Sequence, residues 1–385
     1  MTGKLRVGVI GCGKMAHHHV AGYIACGRFD VAALSDLDEG AMHAMDEGHR
    51  IKTTHYRDAR AMLDTEGLDV VSVCTWHGGH SLWTAAAAAR RPKAILCEKP
   101  MADTLGRAEE MLVACHRNGV KLAIGHQRRF LPAYTMARDL IAKRSIGRVS
   151  LILSFGGQGL PNYSSHQTDM FRYLLGDENC RWVMGNVERK TDRFERTTRI
   201  EDAAVAVYEF ESGARALILA DVTDTIYQGA HIYGTEGQIN LNTEELQLLN
   251  AETGGRWRSH RPDGRFFKVD AEGEKFEWLE GGSAQADELA DWVTDPSATH
   301  RNRAENGYKA LEMIHAVYES ARCHERVMLP LQTRVNPLDL MVESGHLAPQ
   351  RPGAYDIRAF LLRGERFWGD ASDPAAAPGG QSGAP

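Results

Sequence analysis

Leu5-Arg6-Val7-Gly8-Val9-Ile10-Gly11-Cys12-Gly13-Lys14-Met15-Ala16 is the stretch on which the fold turns. Its first six residues have the near-continuous apolar pattern of a strand buried on both faces, and the glycines run straight into a helix. That context gives the GxGxxG/A pattern its meaning. Gly11 permits a tight turn, Gly13 lets the backbone approach a pyrophosphate, and small Ala16 allows close helix-strand packing, while Cys12, Lys14 and Met15 belong to the same cradle. The answering residue is Asp36, an acid at the end of a second strand over 29–36, at the distance where a ribose 2′-hydroxyl is held. Asp36 would also suit the N-terminus of the next helix beside Asp38, but its position favours the ribose. Leu37 offers no cation to a 2′-phosphate, so NAD is expected over NADP.

Working outward, strands over 51–56, 68–75, 94–96 and 120–125 alternate with helices and complete a doubly wound unit. The fourth ends in Thr75-Trp76-His77-Gly78-Gly79-His80, at the same carboxyl edge as the glycine turn, so this loop is expected beside the nicotinamide half of the site. His80 either reaches that site or is merely a residue of the helix N-terminus. The fifth strand runs into Cys97-Glu98-Lys99-Pro100. The proline ring drives Lys99 out of helical space, which can aim its side chain into the crevice beyond the sheet; the bland alternative is a surface lysine in a loop.

From Gly125-His126-Gln127-Arg128-Arg129-Phe130 the chain crosses into a second domain, where strands over 149–155, 182–189, 203–210, 214–221 and 230–233 alternate apolar and polar residues. The expected class is therefore α/β: an N-terminal Rossmann doubly wound parallel sheet, then a C-terminal α+β domain with an open, largely antiparallel sheet. A helix between the first two of these strands starts near His166, with Asp169 one turn on. A helix N-terminus disfavours a cationic imidazole, so His166 suits a neutral base; otherwise it is a capping histidine. Domain limits are expected at 1–128 and 129–331, with an arm over 332–368 laid on its own domain or on a neighbouring subunit, and a disordered tail over 369–385.

Composition narrows the function. The 385 residues are 43% hydrophobic and 25% charged, enough for two cores, and the net charge of -6 with scattered basic residues argues against nucleic acid. No apolar run approaches membrane-spanning length and no secretory h-region precedes the first strand, so a soluble, cytoplasmic protein is expected. Seven cysteines without a CxxC pair read as free thiols. His17-His18-His19 lies inside the first helix, where successive side chains diverge, and no metal site is expected.

Together these pieces resemble the glucose-fructose oxidoreductase and inositol dehydrogenase family, Gfo/Idh/MocA, over roughly 4–331. The resemblance rests on Gly11-Cys12-Gly13, Thr75 with His80, Glu98-Lys99-Pro100, Arg129-Phe130, the His166 to Asp169 spacing, Glu201-Asp202, Gly234-Thr235-Glu236-Gly237 and Tyr318-Glu319-Ser320-Ala321. It implies NAD-linked oxidation or reduction of a secondary alcohol on a sugar, cyclitol or related polyol by a dimer or tetramer. Lys99 would supply a cation beside the reacting oxygen and His166 would handle the hydroxyl proton. Thr75, Trp76, His80, Glu98 and Lys99 would join the cofactor site, while Trp76, His77, Gln127, Arg128, Arg129, Gln158, Asn162, Tyr163 and Asp169 would bind substrate. Two departures stand out: Asn162 occupies the place of the usual aspartate, and Trp76 that of a proline. An NAD-dependent glycoside hydrolase and a non-catalytic NAD-binding regulator are the rival readings.

Overall fold

Fully buried apolar strands alternating with capped helices build the first domain. In the computed structural model the structure describes residues 3–223, 229–262, 267–269, 276–278 and 283–357; the expected tail and the end of the arm lie outside them. The order is β1 (Leu5–Ile10), α1 (Lys14–Cys26), β2 (Phe29–Ser35), α2 (Glu39–His49), β3 (Thr54–Tyr56) and α3 (Ala59–Thr65). It continues with β4 (Val70–Val73), α4 (His77–Ala88), β5 (Ala94–Cys97), α5 (Leu105–Asn118) and β6 (Lys121–Ile124). The six strands are parallel in the order β3-β2-β1-β4-β5-β6. Sequence explains the helix starts: Asp38, Asp58 and Thr104 each accept a hydrogen bond from a first-turn N–H. Gly27 and Gly119 close α1 and α5 in the left-handed conformation. Because the strand order reverses between β1 and β4, a crevice opens at their carboxyl ends.

A short 3-10 turn, Gln127–Phe130, and α6 (Pro132–Ala142) lead into the second domain. Its elements are β7 (Val149–Gly156), α7 (Ser165–Leu174), β8 (Cys180–Glu188), β9 (Thr191–Glu195), β10 (Thr198–Arg199), β11 (Ala203–Phe210) and β12 (Arg215–Ala220). Then come β13 (Ala230–Gly234), β14 (Gly237–Leu241), β15 (Leu246–Asn250), β16 (Arg258–His260), β17 (Phe267–Val269), β18 (Phe276–Trp278), α8 (Ser283–Thr294), α9 (Ala304–Cys323), β19 (Val327–Met328), α10 (Pro337–Glu343) and β20 (Arg351–Asp356). Nine strands form one sheet, β16-β15-β14-β13-β7-β12-β11-β8-β19, antiparallel except for the β7-β12 pair. One face is closed by α7 and α9 through Met170, Phe171, Tyr173, Met313, Val317 and Tyr318.

Two features depart from the sequence reading. The chain returns to the first domain at α8, where Ala286, Leu289 and Ala290 pack with Val20 and Tyr23 of α1, so residues assigned by sequence to the second domain complete the first. Its apolar stripe packs beside α1 on the Rossmann flank. The hairpin of β9 and β10 and the strands β14 to β16 are not separated by periodicity: β9 and β10 mix charged and apolar residues, and β14 to β16 are runs of only three to five residues. Residues 332–357 lie on their own domain: α10 packs Leu338 and Met341 into its core, and β20 pairs in parallel with β9.

Candidate active site

The glycine turn has the geometry an anion cradle needs. Gly11 has φ +88°, and a Cβ there would lie 2.8 Å from the Cys74 carbonyl oxygen, so both conformation and space demand glycine. A Cβ on Gly13, at the N-cap of α1, would meet nothing within 4 Å: the backbone there faces open space, as close approach of a pyrophosphate requires. Cys12 and Ala16 are buried, Met15 half-buried and Lys14 exposed. Asp36 accepts from the backbone N–H groups of Cys12 (2.7 Å) and Asp38 (2.9 Å), which ties the end of β2 to the turn. Leu37 beside it is 76% exposed. These residues fit a dinucleotide.

Across the crevice, Thr75 and Trp76 end the β4 loop, Trp76 being the N-cap of α4. His80 is buried, with Nδ1 2.8 Å from the Pro100 carbonyl oxygen and Nε2 2.9 Å from that of Thr75. It braces the β4 and β5 loops against each other. Glu98 turns back toward α1: its Oε1 accepts from His19 Nε2 at 3.1 Å and its Oε2 from the Lys99 N–H at 3.2 Å. His19 also meets Ser72, which bonds Tyr23. Burial pushes the Glu98 carboxyl up, but the His19 bond and the charges of Lys99 and His18 hold it below the usual carboxylate range. Sequence gave His19 no role in the site, because one member of a histidine triplet carries no positional signal.

Lys99, followed by a cis peptide bond to Pro100, directs Nζ to the Asn162 carbonyl oxygen (3.1 Å) and Oδ1 (3.5 Å) across the domain boundary. Burial pushes its ammonium down to about 8, partly countered by Glu98. The loop bearing Asn162 and Tyr163 is held from below by two carboxylates. Asp221 accepts from the N–H groups of Gln158 (2.8 Å) and Gly159 (2.9 Å), both with positive φ, and buried Glu201 accepts from Leu160 N–H and Tyr318 O–H, each at 2.6 Å. His166 opens the first turn of α7; burial first, then the cations of Arg128 and Lys99, lower its pKa well below the ordinary 6.5. Arg128 lies 4.8 Å above the Tyr163 ring.

Arg129 and Asp169 have a different job from the substrate contact expected. Fully buried Arg129 donates through Nε (2.8 and 3.0 Å) and Nη2 (2.7 Å) to Asp169, and through Nη1 to Asp177 (2.7 Å) and the Arg301 carbonyl oxygen (3.1 Å). Each therefore satisfies the other and fixes the floor beneath α7. His126, which the sequence offered only as a crossover residue, stands edge-on to His166 with ring centroids 6.2 Å apart. Three buried ring and amide atoms here, His126 Nε2, His166 Nδ1 and Asn162 Nδ2, have no hydrogen-bond partner among the described residues. His77 is buried at the start of α4, 3.4 Å from Glu195 of the second domain.

Fold and crevice define a two-domain oxidoreductase with an NAD-binding Rossmann domain. Residues 5–126 match the NAD-binding Rossmann fold of the GFO_IDH_MocA oxidoreductase family, and residues 154–329 match its C-terminal alpha/beta domain. The chain belongs to that family. It is 26% identical over 284 residues to D-apiose dehydrogenase of Paraburkholderia graminis, covering 67% of this chain and 73% of that one. It is 25% identical over 271 residues to myo-inositol 2-dehydrogenase of Thermotoga maritima, covering 66% and 80%. A structure of levoglucosan dehydrogenase with NADH and levoglucosan shares the fold, with a TM-score of 0.74 at 21% identity over 85% of this chain and 100% of that one. No helix among the described residues is long and apolar enough to cross a membrane.

Proposed function

We propose that this protein is an NAD-dependent dehydrogenase of a sugar, cyclitol or related polyol, with Lys99 and His166 handling charge and proton at the reacting hydroxyl. The observation that carries the reading is the set of buried polar atoms without partners, His126 Nε2, His166 Nδ1 and Asn162 Nδ2, beside a cation at Lys99. Buried polar groups left unbonded cost free energy, about 1–3 kcal/mol each, so a cluster of donors and acceptors suits a ligand carrying several hydroxyls. The names of the D-apiose and myo-inositol dehydrogenases support the same substrate class.

Gly11, Cys12, Gly13, Lys14 and Met15 would hold the pyrophosphate end and Asp36 the adenosine ribose, with Thr75, Trp76, His80 and Glu98 forming or bracing the nicotinamide end. When bound, NAD supplies the hydride acceptor. The chain supplies the rest. His166 is neutral at physiological pH because burial and its cationic neighbours oppose protonation, so it can accept the hydroxyl proton. Lys99 is largely cationic at neutral pH and donates to the same oxygen as negative charge grows on it. Asn162 orients Lys99 and, through Nδ2, a neighbouring hydroxyl; Trp76, His77, Tyr163 and Gln158 complete the wall. The Asp36 carboxylate without a cation at exposed Leu37 favours NAD over NADP. We also propose a cytoplasmic homo-oligomer.

The test is a screen of sugars, cyclitols and their lactol relatives for NADH or NADPH formation. Turnover of a polyol with NAD, and far less with NADP, is the expected result. Cleavage of a glycoside without accumulation of NADH would replace the reading with a hydrolase, and NAD binding without turnover on any polyol would replace it with a regulator.

A further inference from the structure

The arm lies beyond the matched family domains, which stop at residue 329, yet its last described strand joins the hairpin of β9 and β10. β20 lies parallel to β9 with Asp356 opposite Phe194, and the buried Asp356 carboxylate accepts from the backbone N–H groups of Arg196 (3.1 Å) and Thr197 (2.7 Å). Those two residues are the whole turn between β9 and β10, with φ of 46° and 68°. Hairpin turns with two positive φ values ordinarily take asparagine or glycine, and a β-branched threonine there is strained. A carboxylate gripping both N–H groups is what the surroundings must supply to hold such a turn.

The strained turn has a product: it delivers Glu195. That side chain is fully buried, with Oε1 3.3 Å from Arg196 Nε and Oε2 3.4 Å from His77 Nε2, in the first residue of α4. A carboxylate is buried so completely only against charged or hydrogen-bonding partners; Arg196 supplies the charge, and the His77 imidazole of the other domain, kept neutral by burial, lies against the second oxygen next to Trp76. Lys99 lies within the electrostatic reach of both Glu195 and Arg196. We propose that the C-terminal arm is a positioning element of the active site: Asp356 acts through the Arg196-Thr197 turn to hold Glu195 against His77, which fixes the cleft wall that carries Trp76 and faces Lys99. The inference rests on the dinucleotide reading of that cleft and not on the identity of the polyol.

Titration of the full-length protein with NADH, followed by fluorescence, reads active-site stoichiometry and Kd separately. Asp356→Ala and Glu195→Gln should each weaken NADH on the order of ten-fold, as a displaced wall does, with stoichiometry unchanged. The double variant should be no weaker than Glu195→Gln alone. Tyr355→Phe, on the same strand as Asp356, removes the 3.2 Å contact of Tyr355 Oη with Thr191 Oγ1 of β9 and should bind as wild type. Should Asp356→Ala fold poorly, Asp356→Asn, which keeps one acceptor oxygen, should give an intermediate Kd. Lost stoichiometry at unchanged Kd, effects that multiply in the double variant, or a Tyr355→Phe loss equal to that of Asp356→Ala would overturn the proposal by reducing the arm to a structural brace. The His77 ring signal in NMR, assigned with His77→Gln, decides independently of any ligand: it should move alike in Asp356→Ala and Glu195→Gln, and an unmoved signal in Asp356→Ala also overturns the proposal. A wild-type protein that oxidises no polyol would defeat the proposed function while leaving both of these readouts intact.

Discussion

Burial acts on Lys99 and His166 in the same direction with different consequences. Both cations are disfavoured, but the imidazole starts near 6.5 and falls well below it, whereas the ammonium falls only to about 8. His166 is thus a base throughout the neutral range and Lys99 a cation up to about pH 8. Oxidation should be level through neutral pH, with the acidic limb well below 6.5 and activity falling to about half near pH 8 as Lys99 loses its charge. Replacing Asn162 by Asp puts a carboxylate where Oδ1 now lies 3.5 Å from Nζ. A nearby anion favours both cationic forms, so both limbs of kcat/KM against pH should move to higher pH; limbs that stay in place would remove Asn162 from this role. Motifs aim attention at Lys99 and His166, which the structure places at the domain boundary and in the first turn of buried α7. The pairing of Arg129 and Asp169 was not legible in the sequence, since it depends on α7 meeting the 3-10 turn in space.

At the scale of elements, the glycine turn and the buried parallel strands could be read because periodicity and backbone demands are local. β9 and β10 could not. Thr191-Asp192-Arg193-Phe194-Glu195-Arg196-Thr197-Thr198 has neither turn glycine nor clean alternation, and its pairing depends on β20, some 160 residues on. α9 carries a further consequence of burial: His315 sits in the core with its pKa lowered to about 4 by desolvation, and its Nδ1 has no hydrogen-bond partner among the described residues. Below pH 6.5 the unfolded chain takes up a proton that the folded chain refuses, so stability falls as the pH drops from about 6.5 toward 4 and is unaffected above that window. In denaturant titrations at pH 7 and pH 5, His315→Leu should lose less stability than wild type by on the order of 2 kcal/mol. Equal losses would mean that His315 is protonated in the folded state.

At the scale of the whole molecule, one sheet face is left uncovered by the described residues. Register places Met328, Met184 and Val205 on that side of β19, β8 and β11, and they are 53%, 58% and 41% exposed, continuing into Val207, Leu217 and Leu219. An apolar stripe of this extent suits a second copy of the chain. Light scattering at micromolar concentration should give a dimer or tetramer, and Val205→Glu with Met184→Glu should shift it toward monomer. A monomeric wild type would contradict the assignment. Sequence announced this face by the shortage of helices after Gly147, but it did not show that α8 belongs to the first domain, since a helix's apolar stripe does not say which sheet it covers. The most direct test of the proposed chemistry joins residue, cofactor and substrate in one assay: NADH formed per polyol consumed, for wild type, His166→Asn and Lys99→Ala. Stoichiometric NADH from wild type is expected, with kcat reduced on the order of a hundred-fold or more in His166→Asn at nearly unchanged NAD affinity, and both kcat and KM damaged in Lys99→Ala. Near-wild-type turnover by His166→Asn would contradict it, as would substrate consumed with no net NADH.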